Sequence, residues 1–185
     1  MSPRCIAAFG TSVVLIAILG ASSETDAARR RREPAATPAG PTTPTDKRDR
    51  VVAAPGTPFH GKAYWQAAAQ CGGIYFKIGT IYSDGAAKAK VKPDPTAFTQ
   101  LSASAATANR AATAFFEAAE RILIADRKLG RDEAVLTYDS LSTASGDRAK
   151  TLEAAVQATK PCPDLYHACR AAFPQVCNDA TVLTN

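Results

Sequence analysis

The chain has 185 residues, a formal net charge of +5, and 46% hydrophobic but only 7% aromatic residues. That length accommodates one domain with tails. The sustained apolar run is confined to the first twenty residues, which excludes a polytopic membrane protein.

The N-terminus reads Met1-Ser-Pro-Arg4-Cys5, then an apolar run from Ile6 to Leu19, then Gly20-Ala21-Ser22-Ser23. A basic start, an apolar core and small residues in that order predict a secretory signal peptide over residues 1–23. Cleavage would follow Ser23 or Ala27, and Cys5 would leave with the signal. The competing reading is an uncleaved N-terminal membrane anchor, because Arg29-Arg30-Arg31-Arg32 follows closely and basic residues beside an apolar run favour the cytoplasmic side. A run of about fourteen residues is short for a hydrocarbon core of roughly 30 Å, which favours the signal.

Residues 24–58 hold six of the twelve prolines, with Ala, Thr and Gly between them. This composition predicts a disordered Pro/Ala/Thr-rich basic linker. It carries seven basic and five acidic residues, and residues 59–185 carry fourteen and twelve. Positive charge is therefore spread along the chain, and no nucleic-acid partner is expected.

Residues 59–185 contain 28 alanines and predict a helical domain. Tyr64, Ala68, Cys71, Tyr75, Ile78 and Tyr82 form one helical stripe, with Tyr82-Ser-Asp-Gly85 as its stop. Asp94 and Pro95 open a second helix, whose stripe runs Phe98, Leu101, Ala105, Ala108, Ala112, Phe115, Ala119 and Ile122. At about 1.5 Å per residue it is near 50 Å long, with Gly130 expected just past its end. A third helix starts from Asp132, buries Tyr138, Leu141, Ser145, Leu152, Ala155, Val156 and Thr159, and bends at Gly146. Lys160-Pro161-Cys162-Pro163 breaks it. A short fourth helix turns Leu165, Tyr166, Cys169 and Phe173 inward, and Pro174 closes it. The predicted fold is all-α: an up-down antiparallel bundle of three long helices plus a short C-terminal helix, stapled by disulfides.

An Ala-rich seam implies a thin core, and the cysteines supply what it lacks. Cys71, Cys162, Cys169 and Cys177 remain after signal removal, an even set that implies two disulfides in one of three pairings. The stripe positions favour Cys71–Cys169 with Cys162–Cys177; the runner-up is Cys162–Cys169 with Cys71–Cys177.

Catalytic patterns are weak. His167 and Cys169 stand two apart on a helix and point away from each other. Cysteine spacing does not match a zinc knuckle, there is no C-x-x-C-H for haem, and neither G-x-S-x-G nor a phosphate-binding glycine motif is present. No catalytic residue, metal or cofactor is assigned, and a non-enzymatic role is expected. The candidate binding surface comprises Trp65 and Phe76, which fall off the first stripe, Gly72 and Gly73, which bare the backbone, and Lys88, Lys90 and Lys92 in a basic loop.

The Tyr-Trp-x-x-Ala-Ala-x-Cys-Gly-Gly pattern of residues 64–73 resembles small exported helical proteins, mostly bacterial, and implies no activity. The functional expectation is a periplasmic or secreted bundle acting as a binding or accessory module of a bacterial envelope, its partner an envelope protein or an anionic envelope component. The alternatives are a hydrolase-like enzyme whose groups converge in three dimensions, and a sensor domain on an uncleaved membrane anchor.

Overall fold

The computed structural model describes residues 46–91 and 94–178. The signal segment 1–23, linker residues 24–45 and Lys92 lie outside the described residues. Five helices follow in order: α1 Tyr64–Val91, α2 Pro95–Arg127, α3 Arg131–Arg148, α4 Leu152–Thr159 and α5 Cys162–Ala172.

The first stripe is the core face of α1, with Tyr64, Ala68, Cys71 and Ile78 buried. The helix does not stop at Gly85 but continues to Val91. One glycine costs about 1 kcal/mol in a helix, and the Ala- and Lys-rich residues after it are strong helix formers. Ala86 is also buried there. Lys88 and Lys90 are therefore exposed helix positions rather than part of a loop.

Helix α2 starts as expected, with the Asp94 carboxylate accepting from the Ala97 N–H at 2.9 Å and Pro95 in the first turn. Its end differs. Lys128 takes the left-handed conformation (φ 61°), its N–H bonding Ile124 O, whereas Gly130 is extended and opens α3.

The expected third helix is two helices. It ends at Arg148, the chain reverses through 149–151, and the Thr151 side chain caps α4 by accepting from the Ala154 N–H at 3.2 Å. Gly146 marks a close contact, since a Cβ there would lie 2.8 Å from Gly73 O. After the reversal Val156 faces outward and is 42% exposed, while Ala155 and Thr159 keep their expected burial.

Helix directions follow from the contacts. Gly72 meets Phe116 and Gly79 meets Asn109, so α1 and α2 are antiparallel. Ser142 and Gly146 pack on Gly73 and Lys77, which makes α3 parallel to α1. Cys162 bonds Cys71 while Tyr64 Oη donates to Ala168 O, so α5 runs back along α1. The result is an up-down bundle whose fourth arm is two short helices broken at Lys160-Pro161. Its large side chains gather at one end: Trp65, Phe115, Ile122 and Leu123 are fully buried, and Phe115 stacks on Tyr75 and meets Tyr166 edge-on.

The packed domain starts earlier than residue 59. Val52 N bonds Lys62 O at 2.8 Å, Gly61 N bonds Val52 O at 2.9 Å, and Tyr64 N bonds Arg50 O at 3.0 Å. Residues 46–63 thus form an arm laid across the bundle end, with Val52, Phe59 and Ala63 buried. Pro55 and Pro58 carry a linker-like composition, yet here they stand in a turn closed by Gly61 at φ 76°, a left-handed value that glycine tolerates.

Candidate functional site

The arm is held by charge. Arg127 donates to both oxygens of Asp49 at 2.7 and 2.6 Å, and the Asp49 side chain is wholly buried. Burial pushes the Asp49 pKa up. The Arg127 guanidinium, the Asp46 backbone N–H and the nearby Trp65 indole outweigh that push and hold it below the ordinary carboxylate range. The indole Nε1 itself falls short of hydrogen-bond geometry. Arg127 also lies over the Trp65 ring, 5.0 Å from its centroid. A second pair, Arg50–Asp126 at 2.8 Å, carries the Arg50 guanidinium onto the Phe173 ring, 3.4 Å from its centroid.

The disulfides follow neither favoured pairing. Cys71 bonds Cys162, and Cys169 bonds Cys177. Cys162 opens α5 level with Cys71, and because α5 runs back along α1, Cys169 lies two turns further on, beside Tyr64 rather than Cys71. After Phe173 the chain folds back, with Val176 N and Cys177 N both bonding Phe173 O, and this brings Cys177 to Cys169. Two disulfides are compatible with an oxidising extracytoplasmic location.

The expected binding surface is dispersed. Trp65 is 0% exposed, because the arm covers the face that the stripe alone leaves open. Gly72 and Gly73 are helix contacts: a Cβ on Gly72 would meet the Phe116 ring at 2.5 Å, and one on Gly73 would overlap the Ser142 carbonyl. Phe76 is exposed and joins Gly73, Phe116 and Ser142 around a cavity of about 370 Å³ between α1 and α3. Lys88 and Lys90 lie at the far end of α1, away from these residues.

A larger groove, about 760 Å³, opens between the arm, α1, the end of α3, α4 and the start of α5. Phe59, Ile74 and Ala149 supply apolar lining, and Lys62, Arg148 and Lys160 supply charge, with Asp164 as the acid. Lys62 is half-buried and donates to Gln70 Oε1 at 3.0 Å. Burial, and then repulsion from Arg148, lower its pKa. Such a site combines an apolar surface with a few convergent polar groups, the usual make-up of a small-molecule site.

No protein-family model, curated protein or solved structure matches the chain.

His60 and His167 are exposed, and neither lines the groove under the arm or the cavity beside Phe76. Among the described residues no three His, Cys, Asp or Glu side chains group as metal ligands, and no helix is long and apolar enough to cross a membrane. Sequence reading missed Lys62, Arg148 and Lys160. They come from three separate elements, and the reversal at 149–151 that brings them together left no clear periodic signal.

Proposed function

We propose that this chain is an exported, non-enzymatic binding module of a bacterial envelope, holding a small ligand in the groove under its arm. The observation that carries the reading is that groove: about 760 Å³, apolar-floored and edged by cations. Its size falls within the range of roughly 300–1,000 Å³ common to ligand pockets. The two disulfides support the export half, since such bonds persist in oxidising compartments.

Native mass spectrometry of the protein recovered from its own cells tests both halves. The expected species lacks the N-terminal segment, has lost two hydrogens per disulfide, and carries a small bound mass. Full-length chain in the membrane fraction, or four free thiols, would overturn the export reading.

A further inference from the structure

We propose that the groove under the arm binds an organic anion, a single phosphate or carboxylate head on an apolar body. The proposal rests on the reading of that groove as a ligand site and names the chemistry it takes.

Lys62 is the centre of the argument. An ammonium has three donors, and Gln70 Oε1, a neutral acceptor, takes one of them at 3.0 Å. A half-buried cation without a counter-charge is costly, and a neighbouring cation raises the cost further. Here that neighbour is Arg148, which lowers the Lys62 pKa after burial has done so. Among the described residues no ion pair engages Lys62, Arg148 or Lys160, whereas Asp49, Asp126 and Glu120 each neutralise an arginine elsewhere. Asp164 is the single acid on the groove wall, so the wall carries an excess of positive charge.

The arrangement is also pre-formed. Lys62 N bonds Phe59 O at 2.9 Å and Lys62 O accepts from Val52 N at 2.8 Å, which fixes the backbone carrying the ammonium. Arg148 ends α3 and Lys160 follows α4, so both stand on helix ends held by the core. Phe59, its ring 5.6 Å from Lys62 Nζ, is 5% exposed and forms part of an apolar floor beside the charge. A head group at Lys62 and Arg148 would then leave its tail against Phe59, Ile74 and Ala149. Lys62, its backbone fixed and its ammonium held by Gln70, spares the ligand the cost of ordering that donor, while the exposed Arg148 and Lys160 side chains close on the head group from placed helix ends.

The test titrates the oxidised, mature chain with octyl phosphate, octanoate, octanol and inorganic phosphate, following backbone amides by ¹⁵N NMR. Octyl phosphate and octanoate should shift Phe59, Gln70, Ile74 and Ala149 saturably, with octanol about tenfold weaker. Lys62→Met should weaken octyl phosphate about tenfold. Arg148→Gln should do likewise, and as an exposed side chain it leaves packing intact, so it decides the matter if the Lys62 variant unfolds. Arg110→Gln on α2 should change nothing. Co-sedimentation of the protein with phosphatidylglycerol vesicles, lost in Arg148→Gln, would identify the anion as a lipid head group; octyl phosphate binding without sedimentation would identify a soluble one. Equal affinity for octanol and octyl phosphate, or an unchanged affinity in Arg148→Gln, would overturn the anion assignment while leaving a ligand groove. Shifts confined to Lys88 and Lys90, or no shift in the groove with any probe, would overturn both the anion and the groove.

Discussion

Replacing Asp49 with Ala should destabilise this domain more than most surface changes, although Asp49 belongs to a segment with the composition of a linker. Its side chain is 0% exposed and that of Arg127 is 11% exposed, with both oxygens bonded to the guanidinium. Breaking a buried pair from one side costs about 3–5 kcal/mol, because the remaining charge keeps its desolvation penalty. Asp49→Ala should therefore lower the melting temperature by about 10–20 °C for a domain of this size. Arg127→Met alone should cost a similar amount by stranding the carboxylate. The double variant removes both charges and should cost at least about 2 kcal/mol less than the sum.

Urea denaturation of the four proteins measures this cycle, and the chain supplies its own probe. Trp65 is the single tryptophan and lies under Arg127, so its emission should shift to the red if the arm lifts in Asp49→Ala. Helical circular dichroism should stay near the parent value, since α1 to α5 keep their own hydrogen bonds. A cost below about 1 kcal/mol, or strict additivity in the double variant, would refute the claim that the pair holds the arm.

The same pair sets an acid response. The folded-state pKa of Asp49 is lowered, so its contribution is fully present above the unfolded value of about 3.9 and is lost as pH falls through the folded one. Stability of the parent measured from pH 5 downward should fall more steeply than that of Asp49→Ala. Parallel curves would count against it. The disulfides should differ in weight: Cys71–Cys162 spans 91 positions and Cys169–Cys177 spans 8. Chain entropy gives about 4.6 and about 2.6 kcal/mol respectively, so Cys71→Ser/Cys162→Ser should melt well below Cys169→Ser/Cys177→Ser, and the reverse order would contradict the model. Gly73→Ala should cost about 1–3 kcal/mol or more in denaturant unfolding, because its methyl meets the Ser142 carbonyl of α3 rather than a yielding side chain. A neutral result there would mean that α1 and α3 separate easily.

Periodicity made the inward faces of α1, α2 and α5 legible, because 3–4 spacing of apolar residues records a face that must be covered. Phe115, Ile122, Leu165, Tyr166 and Phe173 are all buried on the sides that their spacing indicates. The reversal at 149–151 was not legible, since residues on both sides continue the same stripe and Thr151 is one capping residue among many threonines. Nor was the disulfide pairing. Stripe membership says that Cys71 and Cys169 both face inward, but not at what height along antiparallel helices, and height is what selects Cys162. The groove escaped for a related reason: its cations are isolated charges on three elements, and isolated charges usually mark a solvated face.

The arm joins the two halves of the problem. Composition weighs residues 46–58 as a linker because it counts prolines, whereas burial depends on where a few apolar and charged residues land. Asp49 and Arg50 land on Arg127 and Asp126, and Val52 joins Trp65 in the same buried core, so that Asp49 and its arginine lie beside an aromatic that falls off the α1 stripe. On its other side the same segment carries Gly56 to Phe59, and then Lys62, along the groove and fixes Lys62 between Val52 and Phe59. Holding the arm down is therefore also what builds the groove wall. Asp49→Ala, which loosens Asp49–Arg127 without touching a groove residue, should weaken the proposed binding of octyl phosphate at Lys62 in the same NMR titration, and an unchanged affinity would show that the groove wall does not depend on the arm being held down.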